Sequence, residues 1–348
     1  MTDLQNDQEI QTLGSLRQNR PDRFARVPWA AVVVFLLVSC GLAWLVASPL
    51  WLIDEQRPGY SALFTVVASA MMFTPAITTV VVVFVMKAPR GDRMRLLGIW
   101  PLRPAKRVVW FTVAALIAPL LLTIATVLVS VLCGWLTVDL VHLSGFQQLI
   151  DQQLASLGSE EAAATAAAAM PPLWLLVSLQ LLMIPFGALF NSIFAFGEEI
   201  GWRGWLLPAL RPLGLWPALL VSGLVWGLWH SPVILLGYNF GRTDLSGVAI
   251  MTVGCIFWGV LFGWVRLRSG SVWPAVIGHG ALNASAGLFA LVGAAGVEPE
   301  MALVNPLGVS GWVVIAVVVV ILLVTGQFKR EPQLAPKATG QPHTIDYP

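Results

Sequence analysis

The chain is short of charge. Of its 348 residues only 11% are Asp, Glu, Lys or Arg, while 57% are hydrophobic; a soluble globular domain carries about 25% charged residues. Such a sequence cannot cover an apolar core with polar surface. That excludes an ordinary soluble enzyme, and nothing in the chain points to nucleic acid. Cysteine is scarce as well. Cys40, Cys133 and Cys255 all lie in apolar runs without CxxC spacing. This excludes a disulfide framework or a cysteine metal site and leaves buried free thiols as the expectation. No HExxH motif, no long-period repeat and no soluble domain is present.

What is there is apolar sequence in runs of about 18–30 residues, the length that crosses about 30 Å of hydrocarbon as a helix. Eight spans are predicted: Val27–Ile53, Ser61–Met86, Val108–Val138, Leu173–Phe196, Leu215–Gly237, Gly247–Val265, Val272–Gly293 and Gly308–Thr325. Only helices satisfy every backbone N–H and C=O within a single span. The fold class is therefore an all-α polytopic membrane protein of about eight transmembrane helices. The first span follows four arginines and has no small-residue cleavage site after it, so it reads as an uncleaved anchor.

Basic residues test this count independently, because cytoplasmic segments are rich in them. With both termini in the cytoplasm, the inner segments hold Arg17, Arg20, Arg23 and Arg26. They also hold Lys87, Arg90, Arg93, Arg95, Arg103, Lys106 and Arg107, and then Arg203, Arg211, Arg266, Arg268, Lys329, Arg330 and Lys337. The outer segments hold only Arg57 and Arg242. Adding or removing a span between the second and the sixth would spoil that asymmetry. The expected organisation is a disordered cytoplasmic tail over 1–26, three spans and an outer loop over 27–172, a core of spans four to seven over 173–293, the eighth span over 294–327 and a disordered tail over 328–348. The outer segment Asp139–Pro172 has no basic residue, and its "SEEAAATAAAAMPP" reads as an alanine-rich helix capped by Ser159.

Ionisable groups inside membrane segments are rare and mark function by default. Spans four, five and seven carry them. "GEEIGWRGWLLP" after span four holds Glu198, Glu199 and Arg203; "VSGLVWGLWHSP" holds Trp226 and His230; "IGHGALNAS" holds His279 and Asn283. Residues four apart share a helix face, so Glu199 and Arg203 form a predicted salt bridge. Glu198 is turned about 100° away and left as the freer carboxylate, suited to a general base. The plainer reading is an interfacial charge cluster that stops span four, which the doubled glutamate argues against. His230 alone would be a hydrogen-bonded packing residue, and Trp229 a packing or lipid-facing one. Asn283 alone would be interhelical glue, while Gly278 and Gly280 let another helix approach closely. If span four continues through "GWRGWLL", Glu198 moves inward by up to about 15 Å, toward the depth of the histidines.

Together these residues resemble the CAAX prenyl endopeptidases and their prokaryotic relatives, the CPBP or Abi family of intramembrane proteases. "EEIGWR" matches that family's glutamate–glutamate–three residues–arginine motif, "WGLWH" its aromatic–three residues–histidine motif, and "HGALN" its histidine–three residues–asparagine motif. The resemblance covers about Leu173 to Gly293. Trp226 stands where phenylalanine is commoner, which bears on pocket shape. The resemblance implies Glu198 as the base that deprotonates water with help from His230, His279 and Asn283 as an oxyanion hole, and Glu199 as a supporting group with Arg203 as counter-ion. It also leaves a metal alternative, in which Glu198, His230 and His279 supply a zinc ligand set; metal-free water activation is favoured.

The substrate class expected is a membrane-embedded or lipidated peptide, in a multi-pass protein of a bacterial inner membrane whose site draws water from the cytoplasm. Two other functions compete. A non-catalytic membrane immunity or binding protein would tolerate Glu198→Gln. A proton-coupled transporter should show paired broken spans in matching halves, and none recurs here.

Overall fold

The structure is a computed structural model that describes residues 24, 26–156 and 158–330. The tails expected to be disordered lie almost wholly outside those residues. Among the described residues all regular elements are helical; isolated bridge positions occur at Phe24 and between Val138 and Gly293.

Among the described residues seven helices are long and apolar enough to cross a membrane: α1 Trp29–Leu52, α2 Tyr60–Val85, α3 Ala105–Leu132, α4 Leu173–Leu213, α6 Leu245–Ser269, α7 Trp273–Val292 and α8 Met301–Val324. The predicted fifth span is a shorter apolar helix, α5 Leu215–Trp229, of 15 residues. It breaks at His230 and resumes as Ser231–Ile234, with Pro232 in its first turn. Proline has no N–H to continue the ladder. The chain is a multi-pass membrane protein; seven of the eight expected spans are helices of spanning length among the described residues, and the fifth is short and split at a histidine.

α7 packs most extensively on α4 and α3, and α5 on α6. Lipid tails are as apolar as leucine, so helix association in a membrane rests on close packing and small residues. A Cβ on Gly280 of α7 would lie 2.4 Å from Ala188 O and Ser192 Oγ of α4. On Gly227 of α5 it would lie 2.3 Å from Thr252 Cα of α6. The backbones of α4 and α7, and of α5 and α6, are thus drawn together where the ionisable residues sit.

α4 does not stop at its charges. It runs as α-helix to Glu199, continues as a π-helical turn over Ile200–Leu206, and returns to α-helix over Leu207–Leu210. π-turns are rare and are frequently found at functional sites, although α2 carries another at Val81–Val85. The outer segment folds back as helices Ser144–Ala155 and Glu160–Ala168, the second capped by Ser159 Oγ accepting from Ala162 N. Its start docks on the end of α7, where Asp139 N donates to Val292 O. The cysteine expectation holds for Cys255, which is buried; Cys133 is exposed where α3 ends, and Cys40 is intermediate.

Candidate active site

Glu198, Glu199 and Arg203 are 1%, 0% and 1% exposed. A stop signal would sit among headgroups or water, so that reading fails. The predicted ion pair forms, with Arg203 Nη1 donating to Glu199 Oε1 at 2.7 Å. A second bond was not legible: His279 Nδ1–H, from α7, donates to the same Oε1 at 2.9 Å. Glu199 therefore faces two cationic or donating partners from two directions. Such bonds compensate a buried carboxylate that would otherwise be costly.

Glu198 is bound differently. Trp226 Nε1–H donates to its Oε2 at 2.6 Å. Among the described residues this is the carboxylate's only hydrogen bond, and the side chain faces a cavity of about 500 Å³. Sequence reasoning assigned Trp226 to pocket shape alone; the missed signal is that indole, unlike phenyl, carries a donor. Trp226 is also the ring around which the site is built. Arg203 Cζ lies 4.2 Å from its centroid, and the His279 ring meets it edge-on at 5.3 Å. Its backbone carbonyl accepts from His230 Nδ1–H at 2.8 Å. A carbonyl only accepts, so the proton sits on Nδ1, and Nε2 of a neutral His230 keeps its lone pair.

Glu198, Trp226, Trp229, His230, His279 and Asn283 all line the one cavity. The structure thus brings together every residue that the sequence singled out as catalytic except Glu199, which sits behind His279. Asn283 is exposed to the cavity, whereas His230 and His279 are 8% and 4% exposed. Trp229 is neither free nor lipid-facing: it is 1% exposed and donates through Nε1 to Thr74 Oγ1 at 3.0 Å.

Arg266 was counted only among the inner charges. It is fully buried, because α6 runs past the predicted Val265 boundary to Ser269. Arg266 Nε donates to Arg203 O at 3.1 Å and Nη2 to Leu96 O at 2.7 Å. It ties the π-turn of α4 to the loop between α2 and α3.

The zinc alternative can be tested on the side chains themselves. Among the described residues no three His, Cys, Asp or Glu side chains gather closely enough to hold a metal ion. Glu198, His230 and His279 as placed do not fit zinc.

Water entry was expected from the end that carries the basic loops. The cavity's walls come from the first half of α2, from α4 up to Glu198, from α5 and His230, from α7 from His279 on, and from residues 238–239 and 305–307.

Residues 172–285 match the family described as type II CAAX prenyl endopeptidase Rce1-like. That stretch contains all three motifs. The match supports the CAAX/CPBP family. The chain is also similar to the CAAX prenyl protease 2 of Methanococcus maripaludis, 28% identical over 101 residues. That alignment covers 27% of this chain and 37% of the relative, so the chain spans little more than a third of the relative's length.

Proposed function

We propose that the chain is an intramembrane endopeptidase in which Glu198 activates water against a peptide bond of a membrane-inserted or lipid-anchored polypeptide. The observation that carries this reading is the division between the two carboxylates. Glu199 is occupied by Arg203 and His279, whereas Glu198 faces the cavity with a single hydrogen bond, from Trp226. The family match over residues 172–285 supports protease activity of the CAAX endopeptidase type.

In the proposed step Glu198 takes a proton from water as the water oxygen bonds to the substrate's carbonyl carbon. The resulting oxyanion accepts hydrogen bonds from Asn283 Nδ2 and His279 Nε2, the oxyanion-hole arrangement that often supplies the largest single share of catalysis. Collapse breaks the C–N bond, and the proton held by Glu198 passes to the departing amine. His230 Nε2, on the same cavity wall, orients the attacking water. Donation by His279 to the oxyanion requires a proton on each ring nitrogen, and the Glu199 carboxylate at Nδ1 opposes the charge that results.

The test compares membrane and secreted peptides from cells that carry wild-type protein, Glu198→Gln or Glu198→Ala at matched expression. A membrane polypeptide that accumulates uncut in both variants is the expected result and identifies the substrate. Unchanged peptides alongside a cellular phenotype that both variants retain would move the protein to the binding class.

A further inference from the structure

The loop between α2 and α3 holds a second crevice, of about 480 Å³, which shares no lining residue with the cavity at Glu198. It lies between the turn Arg90–Arg95 on one side and Trp100 with Pro101 on the other. Three arginines and one carboxylate, that of Asp92, line it. Over residues 87–107 as a whole, seven Lys and Arg stand against that single acid. The excess is a concentrated positive field for which the hydrolytic site has no use.

The walls of the crevice are fixed from beneath. Leu96 and Leu97 are buried against the bundle. Trp205 Nε1 donates to Ala88 O at 2.7 Å, Arg266 Nη2 to Leu96 O at 2.7 Å, Ser271 Oγ to Gly98 O at 3.1 Å and Trp273 Nε1 to Ile99 O at 3.2 Å. Four side chains from α4, from α6 and from the start of α7 thus clamp the loop's carbonyls. A site already held in shape loses little ordering entropy when a ligand binds.

The crevice also sits where a span ends. Phe84 and Val85 close α2 with exposed apolar side chains, and Arg93 Cζ lies 4.9 Å from the centroid of the Phe84 ring. A guanidinium is therefore held at the height where the apolar surface of α2 gives way to the loop. Met94 and Trp100, 53% and 64% exposed, add apolar surface to the rim. Tryptophan is enriched at the membrane–water interface. Arginine meets phosphate oxygens with two parallel N–H bonds. Basic pockets beside spans take phosphate headgroups of lipids. A free phosphate would use the arginines but not the exposed Phe84, Met94 and Trp100; a lipid uses both.

We propose that this crevice is a binding site for an anionic phospholipid, with Arg90 and Arg93 on the phosphate, Trp100 beside the headgroup and the acyl chains along Phe84 of α2. Net negative charge is required of the ligand, because a zwitterionic headgroup brings its own cation to the phosphate. The proposal is independent of the endopeptidase reading. It has a consequence for the site at Glu198 all the same. Arg266 joins Leu96 of this loop to Arg203 of the π-turn, so a lipid seated in the crevice braces the segment packed against that turn.

The test uses the purified full chain in non-ionic detergent, titrated with phosphatidylglycerol, phosphatidylcholine or inorganic phosphate at matched ionic strength. Melting temperature and lipid retention in native mass spectrometry are the readouts. Phosphatidylglycerol should raise the melting temperature and be retained; the other two should do neither. Arg90→Gln combined with Arg93→Gln should weaken the apparent affinity for phosphatidylglycerol by at least about tenfold, the order expected when charge-assisted hydrogen bonds are lost. Arg90→Gln alone, a change at an exposed side chain that spares the packing on Phe84, should weaken it in the same direction. Lys106→Gln combined with Arg107→Gln removes the same charge outside the crevice and should leave the affinity unchanged. Wild-type protein that ignores phosphatidylglycerol overturns the proposal, as does equal weakening by the two double variants, which would mean diffuse attraction. Equal stabilisation by inorganic phosphate overturns the lipid assignment in favour of a free anion.

Discussion

Trp226 Nε1 stands 2.6 Å from Glu198 Oε2, so a tryptophan on the short fifth helix fixes a carboxylate on the fourth. The bond holds one oxygen and leaves the other to the cavity. Trp226→Phe keeps an aromatic face beneath Arg203 but deletes the donor. A hydrogen bond to a charged group contributes about 1.5–3 kcal/mol, which corresponds to roughly 10–100-fold in rate. The variant should lose kcat by that order with KM little changed. A sulfur isostere of indole, β-(3-benzothienyl)alanine, should reproduce the loss, and full kcat with either replacement would remove Trp226 from the positioning role.

The two glutamates should fail differently. Glu198→Gln removes the base while preserving size, so the protein should fold and be inactive. Glu199→Gln removes the charge opposite a fully buried Arg203, and breaking a buried ion pair typically costs about 3–5 kcal/mol. The expected outcome is a lower melting temperature in detergent for Glu199→Gln and an unchanged one for Glu198→Gln. Equal stabilities would show that Glu199 does not anchor Arg203.

Asn283 faces the cavity with no partner among the described residues, as a group awaiting an oxyanion would. Asn283→Ala should lower kcat by about 10²–10³, the usual effect of deleting one such donor. Stability should be unaffected, since no internal bond is lost. Near-normal turnover on an identified substrate would end the oxyanion assignment.

Arg266→Met should act at a distance. It strips donors from the buried carbonyls of Arg203 and Leu96, each costing about 1–3 kcal/mol when left unsatisfied. Loosening of the π-turn and its covering loop should appear as faster proteolysis within residues 87–107 and reduced activity. A variant as protease-resistant as wild type would mean that the packing of this loop does not depend on Arg266.

Removal of metal bears on the zinc alternative. With Glu198, His230 and His279 not gathered into a metal-holding group, activity should survive prolonged chelation, and purified protein should contain far less than one zinc per chain. Loss on chelation with recovery on zinc addition would reinstate the metal reading.

Much of the site was legible before any coordinates. Glu199 and Arg203 pair because four residues is close to one helical turn, and that holds even where the turn becomes a π-turn. His279 and Asn283 share the cavity for the same reason. Illegible were the contacts between helices: His279 with Glu199, 80 residues apart, and Trp226 with Glu198, 28 apart. Nor could hydropathy show that α4 runs on through its charges, because a window scored on composition cannot distinguish an exposed Glu–Arg pair from a buried one.

Sequence alone determined the class of protein, the basic segments between its spans and the residues proposed to carry the chemistry. Those follow from properties of single residues and of neighbours along one helix: hydropathy, charge and the 3.6-residue turn. Tertiary structure decided that both glutamates are buried, which ring holds Glu198 and which histidine reaches Glu199. Those depend on how helices far apart in the chain pack. In a bilayer that packing is set by small-residue contacts such as Gly280 on Ala188 and by hydrogen bonds between spans, neither of which leaves a periodic mark in the sequence.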